Sequence, residues 1–155
     1  MWQRIQTLWL LLAGVAMTLV LVYPMALFTK SGLIGSENFE MTSIWLRNIF
    51  TGQKETILWG LFALDVLIVV FSFLTIFLFK NRKLQMRVCM FTLLLSIGFI
   101  GYAAFLAFGF VSSLEASFSF KFAIALPIIT PILLFLAYQG IRKDYILVRI
   151  SNRIR

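Results

Sequence analysis

The chain contains no histidine and a single cysteine, Cys89. Without histidine, one chain cannot assemble a His-based zinc site, a histidine-ligated haem, or a Ser–His or Cys–His catalytic pair. With one cysteine, no intrachain disulfide can form. Charge is also scarce: Asp, Glu, Lys and Arg make up 13% of the 155 residues, about half the share of an ordinary soluble domain. Acids are the scarcest of these, 6 against 14 Lys plus Arg. No glycine-rich nucleotide loop and no cluster of metal-ligating side chains breaks the pattern, so no cofactor is expected and the chain is read as non-enzymatic.

Apolar residues are what the chain has, at 61%. A soluble domain of this length has too little interior to hide them, so the remainder must face lipid. The net charge of +8 would suggest nucleic acid as the partner of a soluble protein. Here the cations flank long apolar runs, which reads as orientation signals and anionic headgroup contacts, and no nucleic acid is expected.

Four stretches reach the roughly 20 apolar residues needed to cross a bilayer as helix. They cover about residues 8–28, 57–79, 88–111 and 122–141. The first is read as a retained helix, because it is too long for a signal peptide and YPMALFTK offers no A-x-A-like cleavage site. With the N-terminus inside, the cytoplasmic side holds Arg4, Lys80, Arg82, Lys83, Arg87, Arg142, Lys143, Arg149, Arg153 and Arg155. The opposite side holds Lys30, Arg47, Lys54 and Lys121, together with Glu37, Glu40, Glu55 and Glu115. The cation bias puts both termini in the cytoplasm.

The expected fold is therefore an all-α membrane protein, a single domain over residues 1–155. It is a four-helix transmembrane bundle with a long first extracytoplasmic loop (29–56) and a basic cytoplasmic C-terminal helix (142–155). KNRKLQMR is a short connection and makes the second and third helices antiparallel neighbours. Within the long loop, SIWLRNIF mixes apolar residues with Arg47, as an element lying on the outer face or capping the helices would.

Asp65 is the one ionisable residue deep in a span, about 12 Å from its outer end at 1.5 Å per residue. Intramembrane acids are buried, paired or functional. Thr18, Tyr102 and Thr130 are the polar candidates at that depth. One reading is a proton-binding or ion-coordinating site. The other, preferred because a transport relay shows several such groups, is a protonated acid that bonds to Tyr102 or a threonine and locks packing. Pro127 and Pro131 lie one turn apart in the fourth span and are read as kinks. Gly98, Gly101, Ala104 and Ala107 recur every three residues on the third span, as a close internal helix contact would require. In the tail, Arg142, Arg149 and Arg153 fall within about 40° on a helical wheel. With Lys143 and Arg155 they form a basic stripe for lipid or partner contact.

Two segments, MWQRIQTLWLLLA at the start and IRKDYILVRISNRIR at the end, resemble the two ends of the family catalogued as domain of unknown function 4293. In that family the tail tends toward Arg-Lys-Asp-Glu, then Leu-Val-Arg, then Asp-Arg-Leu-Arg. Arg142, Lys143, Asp144, Leu147, Val148, Arg149, Arg153 and Arg155 match it, while Tyr145 and Asn152 stand where acids are usual. The resemblance implies a small multi-pass protein of the bacterial inner membrane with four spans, and it implies no activity.

The expected function is that of an integral inner-membrane protein, a non-enzymatic small subunit or scaffold of a membrane complex. Its expected partners are anionic lipid headgroups on the cytoplasmic side and another membrane protein. The alternative is an oligomeric proton-linked transporter or channel that uses Asp65.

Overall fold

The computed structural model describes residues 2–32, 35–114 and 117–151. In chain order the elements are α1 (Trp2–Val22), β1 (Ala26–Gly32), β2 (Gly35–Met41), β3 (Trp45–Asn48), β4 (Lys54–Ile57), α2 (Trp59–Phe77), α3 (Arg82–Leu114), β5 (Ser117–Phe120) and α4 (Ala125–Ser151). Five strands correct the all-α expectation: the fold is mixed, four helices plus one antiparallel sheet.

The first divergence comes at Pro24. Proline disfavours helix at the residue before it and offers no N–H to continue one. The helix closes with the Tyr23 N–H donating to the Leu19 carbonyl at 2.9 Å. Residues 26–28, expected as the end of the first span, instead open β1. The alternation that follows is that of strands. Ala26, Phe28, Phe39, Met41, Leu46 and Asn48 are buried, while Leu27, Glu40 and Arg47, which lie between them, are not. The sheet order is β4-β3-β2-β1-β5. β5 comes from the link between α3 and α4, and it pairs with β1 from Ala26↔Phe120 to Thr29↔Ser117. SIWLRNIF supplies β3 and the turn after it. Asn48 Oδ1 accepts from the Phe50 N–H at 2.9 Å, and Gly52 takes the positive φ of 69° that the tight turn needs.

The helices pack in ring order, α1 against α2 and α4, and α3 against α2 and α4. Both connections at one end of this ring feed the sheet, so the sheet closes that end. A core of Phe28, Phe39, Met41 and Leu46 from the sheet joins Met17 and Val20 of α1, Leu61 and Ile68 of α2 and Phe99 of α3. Toward the other end, Leu10 and Ala13 of α1 meet Cys89 of α3 and Leu134, Ala137 and Ile141 of α4. α2 and α3 are joined by a 3₁₀ turn, Leu78–Lys80, and the Gln85 N–H closes onto the Asn81 carbonyl to start α3.

Among the described residues, four helices are long and apolar enough to cross a membrane. Their polarity runs opposite to that of a soluble protein. Gln6, Asp65, Ser72, Thr75, Gln85, Thr92, Ser96 and Thr130 are buried. Leu8, Leu12, Val70, Leu94, Phe105 and Ile132 stand exposed. Of the small-residue stripe on α3, Ala107 packs against the core, but the two glycines make no close internal contact. A side chain added at Gly98 or Gly101 would meet nothing within 4 Å. The close approaches are elsewhere: Gly14 against Phe73, Gly60 against Tyr102 and Gly140 against Gln6.

Candidate functional site

α2 turns Leu61, Asp65, Ile68, Ser72 and Thr75 inward at helical spacing. Asp65 therefore lies fully buried, about 9 Å below the first residue of α2 at 1.5 Å per residue. Its partner comes from the sheet. The Ser43 hydroxyl donates to Asp65 Oδ2 at 2.6 Å.

Ser43 reaches that depth because the β2–β3 turn is inserted into the closed end of the helix ring. The Thr42 N–H donates to the Trp45 carbonyl at 3.0 Å, and Leu58, just before α2, donates to the Ile44 carbonyl at 2.8 Å. Thr42 Oγ1 accepts from the Trp45 N–H at 3.1 Å and so holds the turn from within. Asp65 Oδ1 and Ser72 Oγ, two turns apart on the same face of α2, are buried without a hydrogen-bond partner among the described residues. The other inward hydroxyls are bound to their own helices. Thr75 donates to Phe71 at 2.6 Å, Thr92 to Val88 at 2.8 Å, Ser96 to Leu93 at 2.7 Å and Thr130 to Leu126 at 2.9 Å.

The sequence-predicted partners of Asp65 are thus elsewhere. Tyr102 is 37% exposed, and its hydroxyl lies against Gly60, five residues and about 7.5 Å up α2 from Asp65. Thr18 is exposed and donates to the Gly14 carbonyl at 2.8 Å. Thr130 is at the right face but is bound to its own helix. Pro127 falls in the first turn of α4, where a missing N–H leaves no ladder bond unmade. Pro131 alone lies inside the helix. Ser43 could not be found by ranking polar groups within spans, because it belongs to the loop.

The opposite end of the ring carries a second polar set that was not anticipated. Gln6 Nε2 of α1 donates to Asp144 Oδ2 of α4 at 2.9 Å. Arg82 of α3 lies 3.8 Å from the same oxygen and donates to Gln85 Oε1 at 3.3 Å. Gln85 Nε2 in turn donates to the Thr75 carbonyl of α2 at 3.1 Å. The chain of contacts touches all four helices. Arg142 and Lys143 are exposed beside it. Arg149 is in α4, but its side chain, like Glu115, Arg153 and Arg155 as a whole, lies outside the described residues. Among the described residues no group of His, Cys, Asp and Glu could hold a metal ion.

The two polar sets generate two stability predictions, both read from thermal unfolding in detergent. Ser43→Ala leaves the buried Asp65 without a donor and should cost about 1–3 kcal/mol. The double variant Ser43→Ala/Asp65→Leu should recover most of that loss. An unchanged melt of Ser43→Ala would show that the bond holds nothing. At Gly140, an added Cβ would lie 2.6 Å from Gln6 Cγ. Gly140→Ala should therefore destabilise the wild-type chain. In a Gln6→Ala background the same change should stabilise, by up to about 1 kcal/mol from helix propensity. The same sign in both backgrounds would refute the contact.

The chain matches no curated protein. A family model described as Domain of unknown function (DUF4293) matches residues 2–154. That match takes in both polar sets and the sheet, and the chain belongs to this family.

Proposed function

We propose that this is an integral protein of the inner membrane, non-enzymatic, and a small subunit or scaffold of a larger membrane complex. The membrane location is supported by the inverted polarity of the four helices, with Asp65, Gln85 and Thr130 inside and Leu94, Phe105 and Ile132 outside. Hydrocarbon as the surrounding solvent accounts for both halves of that pattern. The orientation follows from charge. The end bearing Arg82, Lys83, Arg87, Arg142 and Lys143 is cytoplasmic, and the sheet faces outward with Lys30, Arg47, Lys54 and Lys121.

The subunit reading is carried by α3. Among its described side chains only Gln85, Cys89, Thr92, Ser96 and Phe99 are buried, so a 33-residue helix contributes far more surface than its own chain uses. β4 and β5 at the sheet edges are exposed as well, and an unpaired edge is a ready template for another chain. The transporter alternative needs Asp65 to exchange protons with water. The Ser43 bond and the covering sheet stand against that.

Two measurements test the reading. In intact cells, Thr51→Cys in the β3–β4 turn should react with a membrane-impermeant maleimide, and Lys83→Cys should react only after lysis. The reverse pattern would overturn the orientation. Purification in a mild detergent should bring along a stoichiometric membrane partner. Substituting Gly101→Leu on the open face of α3 should reduce its recovery about tenfold, the effect of losing 1.4 kcal/mol. A chain that purifies without any partner under these conditions would remove the subunit reading.

A further inference from the structure

Beneath the β1–β5 end of the sheet, α3 and α4 stand apart around a cavity of about 340 Å³. Its inner wall is Phe99, Ala103 and Ala107 of α3, its far wall Pro127 and Ile128 of α4, and Phe118 helps to roof it. None of the 15 lining side chains carries a nitrogen or an oxygen. Pro127 has no backbone N–H to present either. The side opening is bordered by Phe108 and Ile128, exposed to 76% and 51%. The cavity therefore opens outward between the two helices, at the depth of the hydrocarbon.

Three kinds of occupant can be compared. Water needs two to four polar partners, and this wall provides none. A partner helix, about 10 Å across, would cover the opening and send in side chains alone. A linear hydrocarbon chain fits, since the volume lies within the range of about 300–1,000 Å³ for small-molecule sites. Filling also has a driving force that does not depend on expelling water. A gap left beside rigid rings forfeits their dispersion contacts. Lys121 follows β5 at the outer end of the same wall. Its N–H donates to the carbonyl of Met25, itself a lining residue, at 3.1 Å. Its side chain is 40% exposed and its Nζ lies 3.7 Å from Glu40 Oε1, so the cation at the outer end of this wall is shared with an acid, and the apolar cavity itself carries the choice of occupant.

We infer that this cavity binds one acyl chain of a membrane phospholipid, held lengthwise between α3 and α4 under the sheet. The inference rests on the membrane location proposed above and is independent of the subunit reading.

The test uses the full chain in nanodiscs of phosphatidylethanolamine and phosphatidylglycerol, released into mild detergent and weighed intact by native mass spectrometry. One phospholipid per chain should be retained. Ala104→Phe and Ile128→Trp fill the cavity from opposite walls, and each should lower the retained fraction about tenfold. Val70→Phe, on the exposed face of α2, should leave it unchanged. Retention that neither filling variant alters overturns the inference, as does a wild-type chain that leaves the nanodisc bare. Carbonate extraction of cell membranes is run in parallel. A wild-type chain released by carbonate would overturn the membrane location itself, whereas one that stays embedded but keeps no lipid overturns only the acyl-chain site.

Discussion

With hydrocarbon outside the helices, as the proposed membrane location has it, polarity is forced inward, and most of the architecture follows from that constraint. In lipid, every exposed N–H and C=O must find a partner within the protein. Helices meet this demand along their length, but their connections do not. At the end closed by the sheet, both connections are drawn into one antiparallel ladder, with β5 crossing over to β1. Between those strands the backbone groups satisfy each other, and the outer edges of β4 and β5 are left open. The sheet's inner face of Phe28, Phe39 and Met41 then seals the interior. The same constraint explains the small hydroxyls: Thr75, Thr92, Ser96 and Thr130 give their protons back to their own helices. Asp65 is too costly to leave to its own helix, and the β2–β3 turn brings Ser43 down to it.

The helices were legible because each is a long apolar run, a signal that depends on composition more than on position. The strands were not, for two separate reasons. Residues 24–28 are apolar enough to be absorbed into the preceding span, and Pro24 was the one local sign that helix must stop there. Ser117–Phe120 reads SFSF, a strict alternation, yet four residues are short, and their partner β1 lies across two helices in the sequence. Nothing local encodes that pairing. Asp65 stood out as an acid in an apolar run. Its partner did not, since depth was assigned only to residues within spans, and a turn that dips into the helix ring breaks that assumption.

The basic tail has a similar double character. Its cations were readable as an orientation signal. Its one acid, Asp144, turns inward and is shared by Gln6 and Arg82. The two end segments that carried the family resemblance are thus in contact, although Gln6 and Asp144 lie 138 residues apart. Gly140, one turn before Asp144, leaves room for the Gln6 stem. A sequence pattern that looked like two independent termini is one joint, and its members constrain each other: the glutamine requires the glycine, and the acid requires the glutamine and the arginine.

The two ends of the helix ring are held by different means, and the contrast accounts for the gap between α3 and α4. Toward the end away from the sheet, Cys89 of α3 packs against Leu134 of α4, with Sγ 3.5 Å from its carbonyl. There the two helices are drawn together. Toward the sheet they must diverge, because the chain between them has to run out to the edge of β1 and return as β5. Alanines at 103, 104 and 107 are too small to fill the space that opens. Phe28 packs toward Phe110 and Phe118 at 6.0 and 5.3 Å between ring centroids, and so closes the wedge from within and leaves its outer side open. The cavity is therefore a geometric consequence of satisfying β1 with a strand borrowed from the α3–α4 link.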